Sequence, residues 1–148
     1  MILTRDSDKF IAIDDRLNFI NEQKADFVIS LHTDYNPDKK LSGMSVYTLP
    51  KTNIEGVSKT YNRKLEQSQK FANYLVKYVP KFFKIKKHTC RNSDLKILKN
   101  DSPTTLIEMG CLSNSKDSKL LLSKLFREKF IYAILYALDR FFEKGMKK

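Results

Sequence analysis

Apolar and polar residues alternate along the chain in two distinct periods. After Asp8, Ile13, Leu17 and Ile20 recur at helical spacing, which predicts a helix capped near Asp8 and ending near Gln23. The run Ala25–His32 (ADFVISLH) is short, β-branched and apolar, and reads as a strand buried on both faces with His32 at its C-terminal end. Residues 33–42 carry Pro37 and Asp38 and read as a loop. Residues 43–49 alternate as a second strand that Pro50 stops. From about Ser58 to Tyr78 the apolar positions Tyr61, Leu65, Ser68, Ala72, Leu75 and Val79 lie on one helical face, and Pro80 ends the helix. Residues 95–98 (LKIL) are a short strand candidate, Asn100–Pro103 a turn, and 104–110 (TTLIEMG) another strand of the buried kind. Asn114 or Ser115 caps a short helix through Leu122. A last helix over about 124–143 presents Ile131, Ile134, Leu135, Leu138 and Phe142 inward.

Strands that alternate with helices predict an α/β unit with helices on both faces of its sheet. No linker, low-complexity tract or repeat divides residues 1–148, so one domain is expected. In such sheets ligands bind off the carboxyl ends of the strands, where His32 and Glu108 both fall.

Composition narrows the partners. The 41% hydrophobic and 30% charged content is that of a globular protein. No apolar run reaches the roughly 18 residues that cross a bilayer, and Met1–Arg5 lacks the basic start and apolar centre of a secretory signal. The net charge is +11, but Lys outnumbers Arg 22 to 6 and the cations are scattered, apart from residues 81–88 (KFFKIKKH). Nucleic-acid recognition favours bidentate Arg within a recognition motif, so no specific nucleic acid is expected, and an anionic cell wall or membrane surface suits the charge equally. Cys90 and Cys111 form no disulfide framework and no metal-ligand spacing.

The chemistry rests on two residues. A lone histidine at a strand end, as His32 is, serves either as a structural hydrogen-bonding group or as a metal ligand. Glu108 sits among apolar neighbours, and a buried carboxylate must find a cation, a metal or a raised pKa. Its partner is either Arg5, Arg16 or Arg91, in which case the pair is structural, or a reaction it catalyses. His88 reads as a surface histidine, Cys111 as a small packed residue, and Tyr74, Tyr78, Phe82 and Phe83 as core rather than a sugar-stacking platform.

Five segments in order resemble the zinc-dependent N-acetylmuramoyl-L-alanine amidases of bacterial cell walls. They are Leu3–Asp8 ("LTR..D"), Asp15–Asp26 ("R...AN...AD"), Phe27–Asp34 ("FISIHAN/D"), Gly43–Tyr47 ("GxxVY") and Leu106–Asn114 ("LIExGFLSN"). The resemblance implies a mixed, mainly parallel sheet flanked by helices, a Zn²⁺ cofactor, peptidoglycan as substrate, and action in the periplasm or cell envelope. It makes His32 a zinc ligand and Glu108 the catalytic carboxylate. The family's other zinc ligands, a histidine in a "GHGG" segment and a glutamate, precede the "LTR" segment and have no counterpart here. The resemblance therefore implies a catalytic domain lacking its first strand–helix–strand portion, inactive by itself. A non-catalytic module that binds wall or a partner amidase is the alternative, with a basic nucleic-acid-binding protein behind it. Cys111 departs from the family's usual Phe, and substrate-binding residues and oligomeric state stay unassigned.

Overall fold

The computed structural model describes residues 1–51, 58–83 and 87–145. Its elements are α1 (Ile13–Gln23), β1 (Val28–Asp34), β2 (Met44–Thr48), α2 (Lys59–Tyr78), β3 (Lys87–Asn92), β4 (Thr104–Cys111), α3 (Ser115–Leu122) and α4 (Lys124–Arg140). Short 3-10 turns at Val79–Phe82 and Lys96–Lys99 and a π turn at Phe141–Gly145 complete them. The sheet order is β1-β4-β2-β3. β1 and β4 are parallel, β2 and β3 are parallel, and β2 and β4 join the two pairs antiparallel. This is the mixed, mainly parallel sheet expected.

Register assigns the two faces. Ile29, Met44, Val46 and Ile107 point to one face and pack with Phe71, Leu75, Phe130, Ala133, Ala137 and Phe141 of α2, α4 and the π turn. Rings interlock there: Phe71 lies 4.8 Å from Phe27 and 5.4 Å from Phe141, centroid to centroid. Val28, Tyr47 and Leu106 point to the other face, under Leu17 and Ile20 of α1 and the Ile97–Leu98 turn. That second layer is thin, and it ends before the carboxyl ends of β1 and β4.

Local chemistry accounts for most element ends. The Ser58 hydroxyl accepts from Tyr61 N–H and starts α2, and Asn114 accepts from Lys116 and Asp117 N–H and starts α3. Ser123 caps α4 in the same way. Under α2, buried Lys64 donates from Nζ to the Asn100 carbonyl. Ser68 and the Asn100 side chain tie that turn to Thr104 at the start of β4.

The structure corrects five expectations. α1 starts at Ile13 rather than near Asp8, and no side chain caps it. Asp14 and Asp15 in its first turn supply the negative charge that a helix start favours. β1 packs on both faces only through Val28 and Ile29; it stands at the sheet edge, and beyond those residues Leu31 and His32 are exposed rather than buried. Residues 95–98 are not a strand; Ile97 and Leu98 are buried from within a 3-10 turn. The fourth strand is instead β3, whose KHTCRN sequence has no apolar alternation because it is an edge strand, where charge is tolerated. Finally, α4 buries Phe126, Phe130, Ala133, Ile134 and Ala137; of the expected face Ile134 is buried and Leu138 packs on the core, while Ile131, Leu135 and, in the π turn, Phe142 are exposed. α4 is apolar nearly all round, so packing chose the face.

In α2 the expected face holds, with Phe71 added and Tyr61 left partly exposed. Tyr74, Tyr78 and Phe83 pack against the core as expected, while Phe82 is more exposed and meets Tyr136 at 5.5 Å. Both cysteines are free. Residues 84–86 of the basic stretch, and the side chain of His88, lie outside what is described.

Candidate functional site

The thin face of the sheet carries the candidate site. His32 of β1 is the register partner of Glu108 of β4, and Glu108 is in turn the partner of Ser45 of β2. The three side chains therefore stand in a row across three strands, on the same face and near the carboxyl ends of β1 and β4. Sequence position predicts the strand ends; only the pairing makes His32 and Glu108 neighbours.

Glu108 is half-buried, and its Oε2 is buried with no hydrogen-bond partner among the described residues. Neither Arg5, Arg16 nor Arg91 forms an ion pair with it; Arg5 pairs with Asp8 and Arg16 donates to the Ile11 carbonyl. Burial, and then the nearby negative charge of Asp34, push its pKa up from 4.5 to about 7. Such a carboxyl exchanges a proton readily at neutral pH, which suits a general acid–base. An orphaned carboxylate oxygen costs on the order of 1–3 kcal/mol in a folded chain. A cation at this place relieves that cost.

His32 is open to solvent, and its Nε2 lies 3.0 Å from Ser30 Oγ, one strand repeat away on the same face. Desolvation by surrounding atoms, and then the positive charge of Arg16, pull its pKa below 6.5. A lowered value keeps the imidazole neutral near pH 7, the form that ligates a metal. A neutral imidazole beside an unpartnered carboxylate is a donor set that fits a divalent cation. Among the described residues, no group of three His, Cys, Asp or Glu side chains comes together to hold one.

Two contributors were not singled out from sequence. Asp34 ends β1 and acts on Glu108 by charge. Asp117 is buried and accepts Gly43 N–H at 2.7 Å and Cys111 N–H at 2.9 Å through one oxygen, Oδ2. It thus closes β2 against β4 just beyond Glu108. A Cβ on Gly110 would sit 3.3 Å from that oxygen, so the glycine leaves room for the clamp. Asp117 stands three residues after the helix cap Asn114, the place of an acid in a capping box, yet it accepts from Gly43 and Cys111 while the Asn114 N–H goes to the Cys111 carbonyl, so no sequence signal announces the clamp. Cys111 is buried as expected, with Sγ 3.0 Å from Ser113 Oγ.

Comparison with known proteins gives one consistent result. The family model described as N-acetylmuramoyl-L-alanine amidase matches residues 1–140. A probable cell wall amidase, LytH of Staphylococcus epidermidis, is 26% identical over 141 residues, covering 95% of this chain and 42% of LytH. The N-acetylmuramoyl-L-alanine amidase AmiC of Escherichia coli is 25% identical over 175 residues, covering 97% of this chain and 42% of AmiC. The chain thus spans less than half the length of these relatives. Among solved structures, the catalytic domain of the CwlV amidase from Bacillus (Paenibacillus) polymyxa superposes with a TM-score of 0.80 at 21% identity, over 96% of this chain and 72% of that one. The AmiC2 amidase of Nostoc punctiforme gives a TM-score of 0.80 at 19% identity, over 97% and 72%. At these identities the structural likeness speaks for the fold.

Proposed function

The chain belongs to the N-acetylmuramoyl-L-alanine amidase family, and from that membership we propose that it carries the catalytic carboxylate and one metal ligand of a peptidoglycan hydrolase. The bond cut is the amide between N-acetylmuramic acid and the L-alanine of the stem peptide, which places the site of action in the cell envelope. Glu108 is the catalytic carboxylate and His32 a zinc ligand. The supporting observation is the unpartnered, buried Oε2 of Glu108 in register with His32. Zinc, when bound, supplies polarisation of the amide carbonyl and an acidified water.

The chain's own residues do the rest. Glu108, poised near pH 7, takes a proton from the attacking water at its carboxylate and returns it to the departing nitrogen of L-alanine. Asp34 holds that poise by disfavouring the ionised form. His32, kept neutral, offers a ring nitrogen as ligand.

His32 and Glu108 gather no third metal-binding side chain among the described residues. This observation favours a second reading for the 148 residues by themselves: a module of the amidase fold that binds wall without cutting it. The experiment that separates the readings measures zinc per chain and lysis of peptidoglycan in a zymogram. The wild-type chain is expected to bind zinc weakly, to lose that binding on His32→Ala, and to leave the gel uncleared. Clearing together with about one tightly held zinc per chain would overturn the inactive reading. Zinc binding unchanged by His32→Ala would remove His32 from the site.

A further inference from the structure

We propose that Ser30 is a positioning residue for His32: its hydroxyl oxygen accepts Nε2–H of the ring and so leaves Nδ1 as the nitrogen that meets a metal. The proposal rests on the reading of His32 as a zinc ligand and names the residue that selects which ring nitrogen serves.

Ser30 Oγ lies 3.0 Å from His32 Nε2. The contact follows from the strand, because residues two apart on β1 share a face. That face also carries Glu108, the register partner of His32. Ser30 interrupts an apolar run, with Phe27, Val28 and Ile29 before it and Leu31 after it. A half-buried hydroxyl in such a strand requires a hydrogen-bond partner, and among the described residues it finds the imidazole. Arg16, whose charge acts on His32, spends its Nε–H on the Ile11 carbonyl.

The chemistry of the ring fixes the direction of the bond. A neutral imidazole has one N–H and one bare nitrogen, and a metal binds the bare one. Were Ser30 to donate to Nε2, the proton would sit on Nδ1 and neither nitrogen would be free. With Ser30 accepting, Nε2 carries the proton and Nδ1 keeps its lone pair. A ligating histidine ordinarily gives its other N–H to an oxygen, which sets both tautomer and ring orientation. His32 is exposed at the sheet edge, so packing restrains its ring little and the bond to Ser30 takes over that task.

The chain has two histidines, so long-range nitrogen–proton NMR resolves both rings, and His88→Gln assigns them. The metal-free chain is studied at about pH 8, where an imidazole is neutral. Wild type is expected to show His32 as a single tautomer with the proton on Nε2, and Ser30→Ala a mixture of both. Zinc chloride is then titrated while the same ring signals are followed. Apparent zinc affinity is expected to fall about three- to tenfold for Ser30→Ala, the worth of one exposed hydrogen bond, and to return in Ser30→Thr, which keeps the hydroxyl. A wild-type ring protonated on Nδ1 overturns the proposal without recourse to any variant. Equal tautomer populations, or equal zinc affinity, in wild type and Ser30→Ala overturn it and leave His32 as the ligand. Wild-type ring signals that ignore zinc overturn the ligand reading of His32 and the role of Ser30 together.

Discussion

Replacing Glu108 by Gln keeps the shape of the side chain and removes its charge, so its effect is a change in how stability depends on pH. In the unfolded chain this carboxyl titrates near 4.5, and in the folded chain at about 7. Below pH 4.5 both states hold the proton and the group contributes nothing to pH dependence. As pH rises from 4.5 to 7 the unfolded state loses its proton while the folded state keeps it, so the wild-type chain is progressively destabilised. Above about 7 the penalty is complete. At 1.36 kcal/mol for each decade, the interval from 4.5 to about 7 corresponds to about 3 kcal/mol. Screening on the solvent side of a half-buried group brings the measurable effect to between about 1 and 3 kcal/mol. The assay is urea unfolding of both chains in metal-free buffer containing a chelator, at pH 4, 5.5, 7 and 8.5. Taking variant minus wild type cancels every other titrating group. The difference is expected to be constant at low pH and to rise in favour of Glu108→Gln across the interval. A difference that stays flat, or falls with pH, would refute the claim that Glu108 is buried without a counter-charge.

Asp117→Ala strands the N–H groups of buried Cys111 and half-buried Gly43 and should cost about 2–4 kcal/mol, read from the urea midpoint. Asp117→Asn keeps an acceptor oxygen and should cost clearly less; an equal loss would mean that charge rather than hydrogen bonding holds the clamp. On α4, Phe130→Ala empties a fully buried ring position and should cost about 3–5 kcal/mol by thermal or urea unfolding. Leu135→Gln on the opposite, exposed side should stay within about 0.5 kcal/mol of wild type. The reverse order would restore the helix face read from sequence.

Local signals were strong where the chain itself supplies the partner. Ser58 before α2 and Asn114 before α3 are caps whose acceptors reach N–H groups two or three residues on, so both helix starts were legible. The alternation in β2 and the apolar run of β4 were legible because these strands occupy the interior of the sheet. Edge strands carry no such imprint. The KHTCRN sequence of β3 carries no apolar alternation, and the apolar content of β1 does not say how far along the strand its two faces stay covered, which is only through Val28 and Ile29. The face of α4 is legible only in part, through Ile134 and Leu138, for a related reason. With Ile, Leu, Phe and Tyr around most of its circumference, periodicity offers several stripes. The stripe containing Ala133 and Ala137 is the one buried against α2 and the sheet.

The candidate site divides the same way. From sequence came the two residue types, the strand ends on which they stand, and the chemical demand that a carboxylate flanked by Ile107 and Met109 must find a partner. The tertiary structure alone decided that Arg5, Arg16 and Arg91 do not meet that demand, that His32 is the cross-strand neighbour of Glu108, and that Asp34 acts on it by charge. A carboxylate's burial is foreshadowed by the apolar residues beside it in the chain. Its proton affinity depends also on Asp34, 74 residues earlier in the chain, and only strand register brings that carboxylate within reach.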